Sequence, residues 1–421
     1  MNVTITPTLL KGAITPPPSK SQSHRLIIAA ELAGGGSISN LADSQDIQAT
    51  RRCMAALRES GEELPLLDCG ESGSTLRFLI PVALALRGGG RFTGRGRLME
   101  RPQKPYFDLF AEKGIFYEQK DGVLTVSGRL MPGRYALRGD VSSQFITGLL
   151  YALPLLEGDS EIVLTTPLES RDYVYLTIDV LKRFGVDVRR TGEGWYVPGG
   201  QSYRACDAAV EADWSQAAFW YAAAGTGSDV EVTGMNLKSV QGDRVILEWG
   251  RMINNEPWTD GITVLVWKEV SEEAAREKAA PIAPDSRACS VSLDVSQAPD
   301  LVPPLAAWGA LMNGALYLEN AARLRMKESD RLAAVADVLG TLGAEVHEEP
   351  DRLVIIGKPN GLPGGVTVDS HNDHRIAMMA AIAATRCQEA VTITGAECVA
   401  KSYPNFWEDY EALGGVIRRE G

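Results

Sequence analysis

The segment PPPSKSQSHRLIIAAELAGGG, which begins at Pro16, decides how the rest of the chain is interpreted. It predicts a loop that enters a helix of small and aliphatic residues and stops at Gly34–Gly36. This helix is apolar on nearly every side, so it cannot lie at a surface with one face in water. We therefore expect other elements to enclose it.

The same pattern returns five more times along the chain. Each copy has a start rich in Ser or Asp, an apolar helix of about three turns, and then a turn and a strand-like run. The six copies begin at Pro16, Glu71, Asp140, Glu211, Asp294 and Asp369. Their spacing is too irregular, and the unit too long, for a stacked solenoid. If the helices converge, several positive dipole ends meet, which suits a ligand with multiple negative groups.

The repeats divide into three and three, which predicts two domains. The fourth copy starts near Glu211–Asp213, so we expect a first three-repeat domain over 13–212 and a second over 1–12 plus 213–421. A hinge is predicted near 12–14 and 211–213. Residues 250–290 fit this scheme least, and we interpret them as strand, exposed loop and strand in a surface insertion.

Composition narrows the class of protein. The 421 residues carry a formal net charge of -12, which argues against broad binding to nucleic acid or membrane surfaces. The six cysteines are scattered, so neither a zinc site nor a disulfide framework is predicted. The N-terminus lacks signal-peptide features, and no apolar window approaches the roughly 20 residues of a membrane span. We expect a cytoplasmic protein.

A second informative stretch is RLRMKESDRL at Arg323–Leu332, which is dense in charge. Ser329 and Asp330 are helix-capping residue types, so Lys327, Glu328 and Arg331 are expected to share the first turn of a helix. Cations at a helix N-terminus, where free N–H groups already carry positive charge, make sense if an anion binds there. Taken alone, the stretch also fits a solvated, charged surface.

Further candidate ligand contacts lie at the repeat starts. Lys20 follows three prolines and can pair a phosphate, and Arg25 can grip a carboxylate or phosphate with two parallel hydrogen bonds. Gly73 would let a ligand approach the backbone closely, and Arg101 adds a cation before Pro102. Neutral donors are offered by Ser142, Ser143, Gln144, Ser170 and Tyr173. A lone serine is more often a helix cap, but recurrence at one point of each repeat favours ligand contact.

Eight motifs in order resemble the enolpyruvyl transferase family, and within it the branch that uses shikimate-3-phosphate. They are SKSQSHR at Ser19–Arg25, SGSTLR at Ser72–Arg77, ERP at Glu100–Pro102, SSQF at Ser142–Phe145, PDLVP at Pro299–Pro303, KESDR at Lys327–Arg331, NDHR at Asn372–Arg375 and AKSYP at Ala400–Pro404. The resemblance covers essentially the whole chain. It implies an α/β fold, a two-domain inside-out α/β barrel with three βαβαββ units per domain and buried helices, closing over substrates in the cleft.

The resemblance also implies two anionic substrates, no cofactor and no metal, and a monomer. The implied contacts of shikimate-3-phosphate are Lys20, Ser21, Arg25, Ser142, Ser143, Gln144, Ser170, Tyr173, Asp300, Arg323 and Lys327. The implied contacts of phosphoenolpyruvate are Lys20, Gly73, Arg101, Gln144, Arg331, Arg375 and Lys401.

The implied reaction joins the two substrates through a tetrahedral intermediate. The 5-hydroxyl adds to C2 of phosphoenolpyruvate while C3 is protonated, and phosphate leaves as C3 returns a proton. This path needs a base near the hydroxyl, an acid near C3 and cations around the leaving phosphate. Asp300 is the candidate for the hydroxyl and Glu328 for C3, while Lys20 steadies phosphate and can share the proton transfers. The division among these three residues stays open.

Two positions depart from the family's usual residues. Glu71 stands where the family commonly has asparagine, and we favour a solvent-facing side chain over a pairing with a site cation. Arg323 stands where asparagine or histidine is frequent, and its role is left open between a phosphate contact and solvent. Gly73 keeps the small residue that leaves room for glyphosate, so we expect sensitivity to this inhibitor.

The nearest alternative function is UDP-N-acetylglucosamine enolpyruvyl transferase, which shares the fold and the donor. Its members usually start with a lysine–asparagine pair and carry a reactive cysteine in a mobile loop. Here Lys20 is followed by Ser21, and no cysteine lies between Cys69 and Cys206. Both differences disfavour this alternative.

A metal site and an inactive ligand-binding protein are two further alternatives. His371, Asp373 and His374 could form a metal site, but Arg375 beside them would repel a cation and no third ligand cluster is evident. An inactive relative that only binds ligand is disfavoured by the joint presence of Lys20, Asp300 and Glu328.

Overall fold

The computed structural model describes residues 1–59, 61–254 and 289–421. The interpretation of residues 250–290 as strand, loop and strand falls mostly on the range 255–288, outside the described residues. The described α-helices span Lys20–Leu32, Gln45–Arg58, Gly73–Arg87, Lys104–Lys113, Ser143–Ala152, Arg171–Arg183, Trp214–Gly225, Ile246–Ile253, Val302–Gly309, Arg331–Thr341, His374–Ala384 and Phe406–Ala412. In these ranges, none of the helices has the length and apolar character needed to cross a membrane.

The strands complete the secondary structure. They span Asn2–Thr6, Lys11–Ile14, Ile38–Ser39, Leu66–Asp68, Gly89–Thr93, Phe116–Lys120, Val123–Ser127, Gly133–Leu137, Ser160–Leu164, Arg189–Arg190, Gly194–Val197, Ala208–Ala209, Asp229–Val232, Cys289–Asp294, Gly314–Glu319, Glu345–Glu348, Leu353–Ile356, Thr367–Asp369, Val391–Thr394 and Val416–Glu420. Within the described ranges they form six sheets, four with four strands and two with two strands.

Contacts along the chain divide it into two compact units. The first unit comprises Pro17–Glu211 and Lys238–Gly242. The second unit comprises Met1–Pro16, Ala212–Leu237 and Asp243–Gly421. Each unit has its own large apolar core. Because fully burying one aliphatic or aromatic side chain contributes about 1.5–3 kcal/mol, each core is large enough to stabilise its own unit.

Six helices, one from each sequence repeat, are enclosed on almost every side, and we call them the core helices. They are Lys20–Leu32, Gly73–Arg87 and Ser143–Ala152 in the first unit, and Trp214–Gly225, Val302–Gly309 and His374–Ala384 in the second. All residues of His374–Ala384 are buried. The prediction that helices with apolar residues on every side lie inside the protein is confirmed. The physical reason is that water would otherwise contact an apolar face of each helix.

Most core helices begin at a side chain that caps them. Ser19, Ser72 and Ser142 accept hydrogen bonds from backbone N–H groups two or three residues further on. Asp213 and Asp373 do the same in the second unit. The helix Val302–Gly309 differs, because it continues from the 3-10 turn Pro299–Leu301 and has no side-chain cap. The polar repeat starts therefore have a structural task, whatever ligand they also contact.

The four-stranded sheets share one topology. In the first of them, Leu66–Asp68 pairs in parallel with Gly89–Thr93, which pairs antiparallel with Val123–Ser127, the partner of Phe116–Lys120. The parallel step needs a crossover, and the core helix Gly73–Arg87 supplies it. The same strand order recurs in the other three sheets, so the repeated sequence pattern corresponds to a repeated βαβαββ unit.

The sheet of the sixth repeat takes one strand from the start of the chain. Asn2–Thr6 pairs antiparallel with both Val391–Thr394 and Val416–Glu420. Two short parallel pairs serve the remaining repeats, namely Ile38–Ser39 with Ala208–Ala209 and Lys11–Ile14 with Asp229–Val232.

One local prediction is wrong. The helix after the charged stretch begins at Arg331, and Asp330 caps it by accepting a hydrogen bond from the N–H of Ala333. Lys327 and Glu328 therefore precede the helix instead of sharing its first turn. Lys327 has extended backbone at the end of the 3-10 turn Ala322–Met326, so a kink, not a helical turn, orients these two side chains.

Candidate active site

A buried arginine organises the polar cluster of the second unit. Arg331 is 1 % exposed, and its Nε lies 2.9 Å from Oδ2 of Asp373, which is 0 % exposed. Nη2 of Arg331 lies 2.6 Å from Oε2 of Glu328, and Nη1 lies 3.0 Å from Oδ1 of Asp300. One guanidinium thus joins three carboxylates that are far apart in the sequence. Burial alone would lower the pKa of Arg331, but the three carboxylates outweigh it and raise the pKa.

Asp300 is the meeting point of three cations. Its Oδ1 accepts from Arg331 and from Nζ of Lys327 at 3.2 Å, and its Oδ2 accepts from Nη2 of Arg375 at 3.1 Å. About a fifth of its side chain is exposed. An acceptor so placed is both held in position and open to a ligand from one side.

Arg375 is oriented by the starts of two other core helices. It donates to Oγ of Ser215 at 2.9 Å, and to the backbone oxygen of Asp300 at 3.2 Å. Its own N–H donates to Asp373, the cap of the helix His374–Ala384. Ser329 donates to the same aspartate at 3.0 Å. Asp373 therefore links Arg331 and Arg375, two of the three arginines that the resemblance assigns to phosphoenolpyruvate.

Lys327 differs electrostatically from an ordinary surface lysine. Its pKa is lowered, first because burial disfavours the ammonium form and further because Arg331 and Arg323 repel it, while Asp300 and Glu328 act in the opposite direction. The side chain remains about a quarter exposed. A lysine of this kind can give up a proton more readily than a free one.

Two further predicted residues of the second unit have backbone partners. Nζ of Lys401 lies 2.6 Å from the backbone oxygen of Asn372, in the turn just before the cap Asp373. Nη2 of Arg323 lies 2.5 Å from the backbone oxygen of Ser296. Asp300, Lys327, Glu328, Arg331 and Arg375 thus form one connected cluster, and Lys401 contacts the loop beside it. The backbone oxygen of Ser296 that accepts from Arg323 is not part of this cluster.

In the first unit, Lys20 opens its core helix and pairs with a carboxylate. Nζ of Lys20 lies 2.9 Å from Oδ2 of Asp46, and both side chains are mostly buried. Asp46 lies in the first turn of the helix Gln45–Arg58. Sequence reasoning missed Asp46. An acidic residue two positions after the capping Ser44 is a usual sign of a helix start, but it does not indicate which cation it pairs with.

Arg25 is held by three oxygen atoms. Its Nε donates to Oγ1 of Thr177 at 2.8 Å, and its two terminal nitrogens donate to the backbone oxygens of Ser21 at 2.7 Å and Tyr173 at 2.9 Å. Its guanidinium also lies 5.1 Å from the centre of the Phe78 ring. Burial lowers the pKa of Arg25 to about 10. These contacts bring together three of the predicted shikimate-3-phosphate residues.

The segment Ser170–Tyr173 and the start of the third core helix complete this side. Ser170 is buried and has a φ of 53°, which is uncommon for a residue with a side chain. Ser142 caps its helix by accepting from the N–H of Gln144, while Ser143 is the first buried residue of that helix. The serine hydroxyls therefore lie at element starts, as their positions in the repeats predicted.

Gln144 is fixed by a residue that sequence reasoning did not select. Its Oε1 accepts from Nη1 of Arg77 at 2.7 Å, and its Nε2 donates to Oγ of Ser74 at 3.0 Å. Arg77 also donates to the backbone oxygen of Pro102, next to Arg101. The signal that could have found Arg77 is its place in an otherwise apolar buried helix, because a buried arginine needs partners.

Arg101 lies against the backbone of Gly73. A Cβ built at Gly73 would be 2.7 Å from Nη1 and 3.0 Å from Cζ of Arg101. The guanidinium of Arg101 therefore packs against the first residue of the second core helix. We expected Glu71 to face solvent, and its side chain is half-buried. Its Oε2 lies 2.8 Å from the position that a Cβ at Gly96 would take.

The metal-site alternative does not fit the geometry. Asp373 is engaged by Arg331 and Ser329, and Nε2 of His371 lies 2.9 Å from Asp337. Over the ranges 1–59, 61–254 and 289–421, no group of three or more His, Cys, Asp or Glu side chains could hold a metal ion. The two histidines and the aspartate are neighbours in the sequence but serve different contacts.

Comparison with known proteins shows which family the chain is similar to. The sequence profile of the family described as EPSP synthase (3-phosphoshikimate 1-carboxyvinyltransferase) matches residues 5–410. A 3-phosphoshikimate 1-carboxyvinyltransferase of Clostridium kluyveri is 44% identical over 435 residues, covering 99% of this chain and 98% of the relative. The enzyme of the same name from Clostridium novyi is 42% identical over 445 residues, covering 99% and 98%.

Solved structures share the fold. EPSP synthase from Acinetobacter baumannii superposes with a TM-score of 0.73 at 24% identity, covering 99% of this chain and 100% of that one. The enolpyruvyl transferase NikO from Streptomyces tendae gives a TM-score of 0.70 at 17% identity, covering 99% and 98%. The structures support the predicted fold class, and the sequence relatives support the shikimate-3-phosphate branch over the UDP-N-acetylglucosamine branch. The chain belongs to the EPSP synthase family, the 3-phosphoshikimate 1-carboxyvinyltransferases.

Proposed function

We propose that this chain transfers the enolpyruvyl group of phosphoenolpyruvate to the 5-hydroxyl of shikimate-3-phosphate and releases phosphate. The hydroxyl oxygen bonds to C2 as C3 takes up a proton, which gives a tetrahedral intermediate. The C2–O bond to phosphate then breaks as C3 loses the proton that it gained. The proton given up by the 5-hydroxyl when its oxygen bonds to C2 ends on the released phosphate. Positioning two anions for this reaction is the main demand on the protein.

We assign shikimate-3-phosphate chiefly to residues of the first unit. Lys20 and Arg25 supply positive charge, and the three oxygens that hold Arg25 fix the direction of its guanidinium. The set of acceptor-binding residues is Lys20, Ser21, Arg25, Ser142, Ser143, Gln144, Ser170, Tyr173, Asp300, Arg323 and Lys327. Arg323 also donates to the backbone oxygen of Ser296.

We assign phosphoenolpyruvate to a set of lysines and arginines together with the backbone at the start of a core helix. Lys20 belongs to this set as well as to the set for shikimate-3-phosphate. Gly73 is the first residue of a core helix, and the dipole at this end of the helix favours an anion. The cations are buried or nearly so, which strengthens their attraction to an anion. The set of donor-binding residues is Lys20, Gly73, Arg101, Gln144, Arg331, Arg375 and Lys401.

For the proton transfers we propose Asp300 at the 5-hydroxyl and Glu328 at C3. The observation that carries this assignment is that one guanidinium, that of Arg331, contacts both carboxylates, at 3.0 Å and 2.6 Å. A shared cation holds the two groups in a fixed relation while each keeps an exposed edge. Lys20 is the third candidate, and its part in the proton transfers stays a prediction.

The proposal is tested by measuring phosphate release from phosphoenolpyruvate with shikimate-3-phosphate as acceptor. Glu328→Gln should lower kcat by about 10² to 10⁴ fold, since a placed acid or base contributes that much. Glu349→Gln, which removes a surface carboxylate that contacts Arg352, is the matched control and should retain activity. Equal turnover in Glu328→Gln and wild type would show that another group protonates C3.

The choice of acceptor is tested separately. Phosphate release with shikimate-3-phosphate and none with UDP-N-acetylglucosamine is the expected result, and the reverse would refute the proposal. The domain limits 13–212 and 1–12 plus 213–421, the hinge, the monomeric state and the cytoplasmic location stay predictions.

A further inference from the structure

A chain of buried polar side chains runs through the first unit behind the proposed site residues. Nδ1 of His24 lies 2.7 Å from Oγ1 of Thr50, which lies 2.6 Å from Oγ1 of Thr75. Oγ1 of Thr75 in turn lies 2.7 Å from Oγ of Ser72. All four side chains are at most 1 % exposed. We call this set the hydroxyl chain.

Each link of the hydroxyl chain is adjacent to a residue that we place in the site. His24 is one helical turn after Lys20, and Thr50 is one turn after Asp46, the ion-pair partner of Lys20. Ser72 caps the core helix Gly73–Arg87 and directly precedes Gly73. The hydroxyl chain therefore joins the N-terminal parts of three helices, Lys20–Leu32, Gln45–Arg58 and Gly73–Arg87.

The hydrogen bonds of the chain run in one direction. The Thr75 hydroxyl donates its one proton to Oγ of Ser72 at 2.7 Å, which is a closer acceptor than the backbone oxygen of Asp46 at 3.5 Å. Thr50 must then donate to Thr75, and His24 must donate from Nδ1 to Thr50. This ordering gives His24 the neutral tautomer that carries its proton on Nδ1. Nε2 of His24 has no hydrogen-bond partner in the described part of the chain, so only the Nδ1 side is fixed by a contact.

Electrostatics keep His24 in the neutral form. Burial lowers the pKa of His24 well below its ordinary value, and the nearby charges of Lys20 and Arg25 lower it further. The hydroxyl chain is thus made of neutral groups that lie near the cations Lys20 and Arg25. A neutral, ordered chain can hold backbone in place without competing with the anionic substrates for those cations.

We propose that Thr50 is a positioning residue: through the hydroxyl chain it sets the Lys20–Asp46 ion pair relative to the helix start at Gly73. Thr50 is the central link, since its Oγ1 lies 2.7 Å from Nδ1 of His24 and 2.6 Å from Oγ1 of Thr75. The backbone oxygen of Asp46 is farther away, at 3.4 Å, so Thr75 is the nearer acceptor for the single proton of Thr50. Without the Thr50 hydroxyl, His24 loses its acceptor. The cap region of Gly73 then keeps only the longer contact of Thr75 with the backbone oxygen of Asp46, at 3.5 Å, as a hydrogen bond to the helix that carries Asp46. The inference rests on the proposed function, because it concerns the alignment of groups used there.

The kinetic test compares Thr50→Val, Thr50→Ser and Thr226→Val. Thr50→Val keeps the shape but removes the hydroxyl, and we expect kcat to fall by about 10² fold, as a misplacement on the order of 1 Å can cause. Thr50→Ser keeps the hydroxyl and should restore most of the activity. Thr226→Val is the matched control, since Thr226 is also buried and lies in the second unit. Among the described residues, the acceptors of its hydroxyl are the backbone oxygens of Ala222 and Ala223.

Thermal unfolding of the three variants separates positioning from folding. Both valine variants should lower Tm by a similar amount, while only Thr50→Val should lose turnover. Equal turnover in Thr50→Val and Thr226→Val would overturn the proposal. If Thr50→Val does not fold, loss of activity in the folded Thr50→Ser variant would overturn it equally, because the hydroxyl is then present without the expected effect.

A spectroscopic test needs no substrate and does not depend on the proposed function. Long-range ¹H–¹⁵N correlation spectra of the full chain should show His24 as the Nδ1–H tautomer, with the signal assigned by its loss in His24→Gln. A proton on Nε2 would refute the direction of the hydroxyl chain. Failure of wild type to release phosphate would instead refute the proposed function and leave this spectroscopic result standing.

Discussion

The guanidinium of Arg101 rests against the backbone of Gly73, so that a Cβ at residue 73 would be 2.7 Å from Nη1. This contact distance is shorter than any normal approach of two heavy atoms that are not hydrogen-bonded, so Arg101 must move if a methyl group is added. Backbone conformation does not require glycine at position 73, because its φ is not among the positive values of the described residues.

The first prediction concerns Gly73→Ala. We expect KM for phosphoenolpyruvate to rise by about 10 fold, as the loss of about 1.4 kcal/mol of binding would produce, and inhibition by glyphosate to weaken. Steady-state kinetics with and without glyphosate measure both effects. Gly192→Ala is the control, since a Cβ there meets nothing within 4 Å. An unchanged KM would mean that Arg101 does not contact phosphoenolpyruvate.

The second prediction concerns the buried pair of Arg331 and Asp373. Asp373→Asn leaves the guanidinium without its best-buried carboxylate, so the free energy of unfolding should fall by about 3–5 kcal/mol. Urea unfolding followed by circular dichroism measures this loss. Asp337→Asn removes an exposed carboxylate that contacts His371 and should change stability by less than about 1 kcal/mol. Equal stability of the two variants would contradict the importance of the pair.

The third prediction concerns the pH dependence set by Lys327. Its folded-state pKa is lowered by burial, so the folded protein binds fewer protons than the unfolded chain between the lowered value and the ordinary value of 10.5. The contribution of this residue to the free energy of unfolding therefore rises with pH in that window and is complete above it. The charge that binds an anion is lost over the same window.

The measurement is the pH profile of kcat/KM for shikimate-3-phosphate. We expect its alkaline limb to begin below pH 10.5 and to move to higher pH in Lys327→Arg, since arginine stays charged. Lys104→Arg, which changes an exposed lysine paired with Asp108, should leave the profile unchanged. An alkaline limb at the same pH in wild type and Lys327→Arg would assign the titration to another group.

The fourth prediction concerns the direction of the Arg25 side chain. Arg25→Lys replaces a fork that donates to three oxygens by a single ammonium, so at least one acceptor loses its partner. We expect KM for shikimate-3-phosphate to rise by about 10 to 100 fold, as the loss of one or two charged hydrogen bonds implies. Arg58→Lys, on the exposed end of the next helix, is the control. A selective rise in KM for phosphoenolpyruvate instead would contradict the assignment of Arg25.

The enclosed helices were predictable because their signal is local. A helix with apolar residues on every side must be buried whatever surrounds it, and six such helices with polar starts could be read directly from residue order. The caps Ser19, Ser72 and Ser142 follow from the same reasoning, since an N-cap depends only on residues three positions away.

The error at Lys327 and Glu328 has a local cause of another kind. Both Ser329 and Asp330 are good caps, and periodicity alone does not choose between a helix that starts before them and one that starts after. Asp330 is the N-cap because its carboxylate accepts a hydrogen bond from the N–H of Ala333. The Ser329 hydroxyl donates to Asp373 instead. That second contact links residues 44 positions apart, which no local pattern reveals.

Residue order by itself thus determined the repeated unit, the burial of its helices and the kinds of side chain at their starts, because each depends on interactions within a few turns of backbone. Only the tertiary structure decided that Arg331 joins Asp300, Glu328 and Asp373, that Arg101 rests on Gly73, and that Arg77 holds Gln144. These pairings arise when separate elements pack together, and a buried charge takes whichever partner the packing brings within hydrogen-bonding distance.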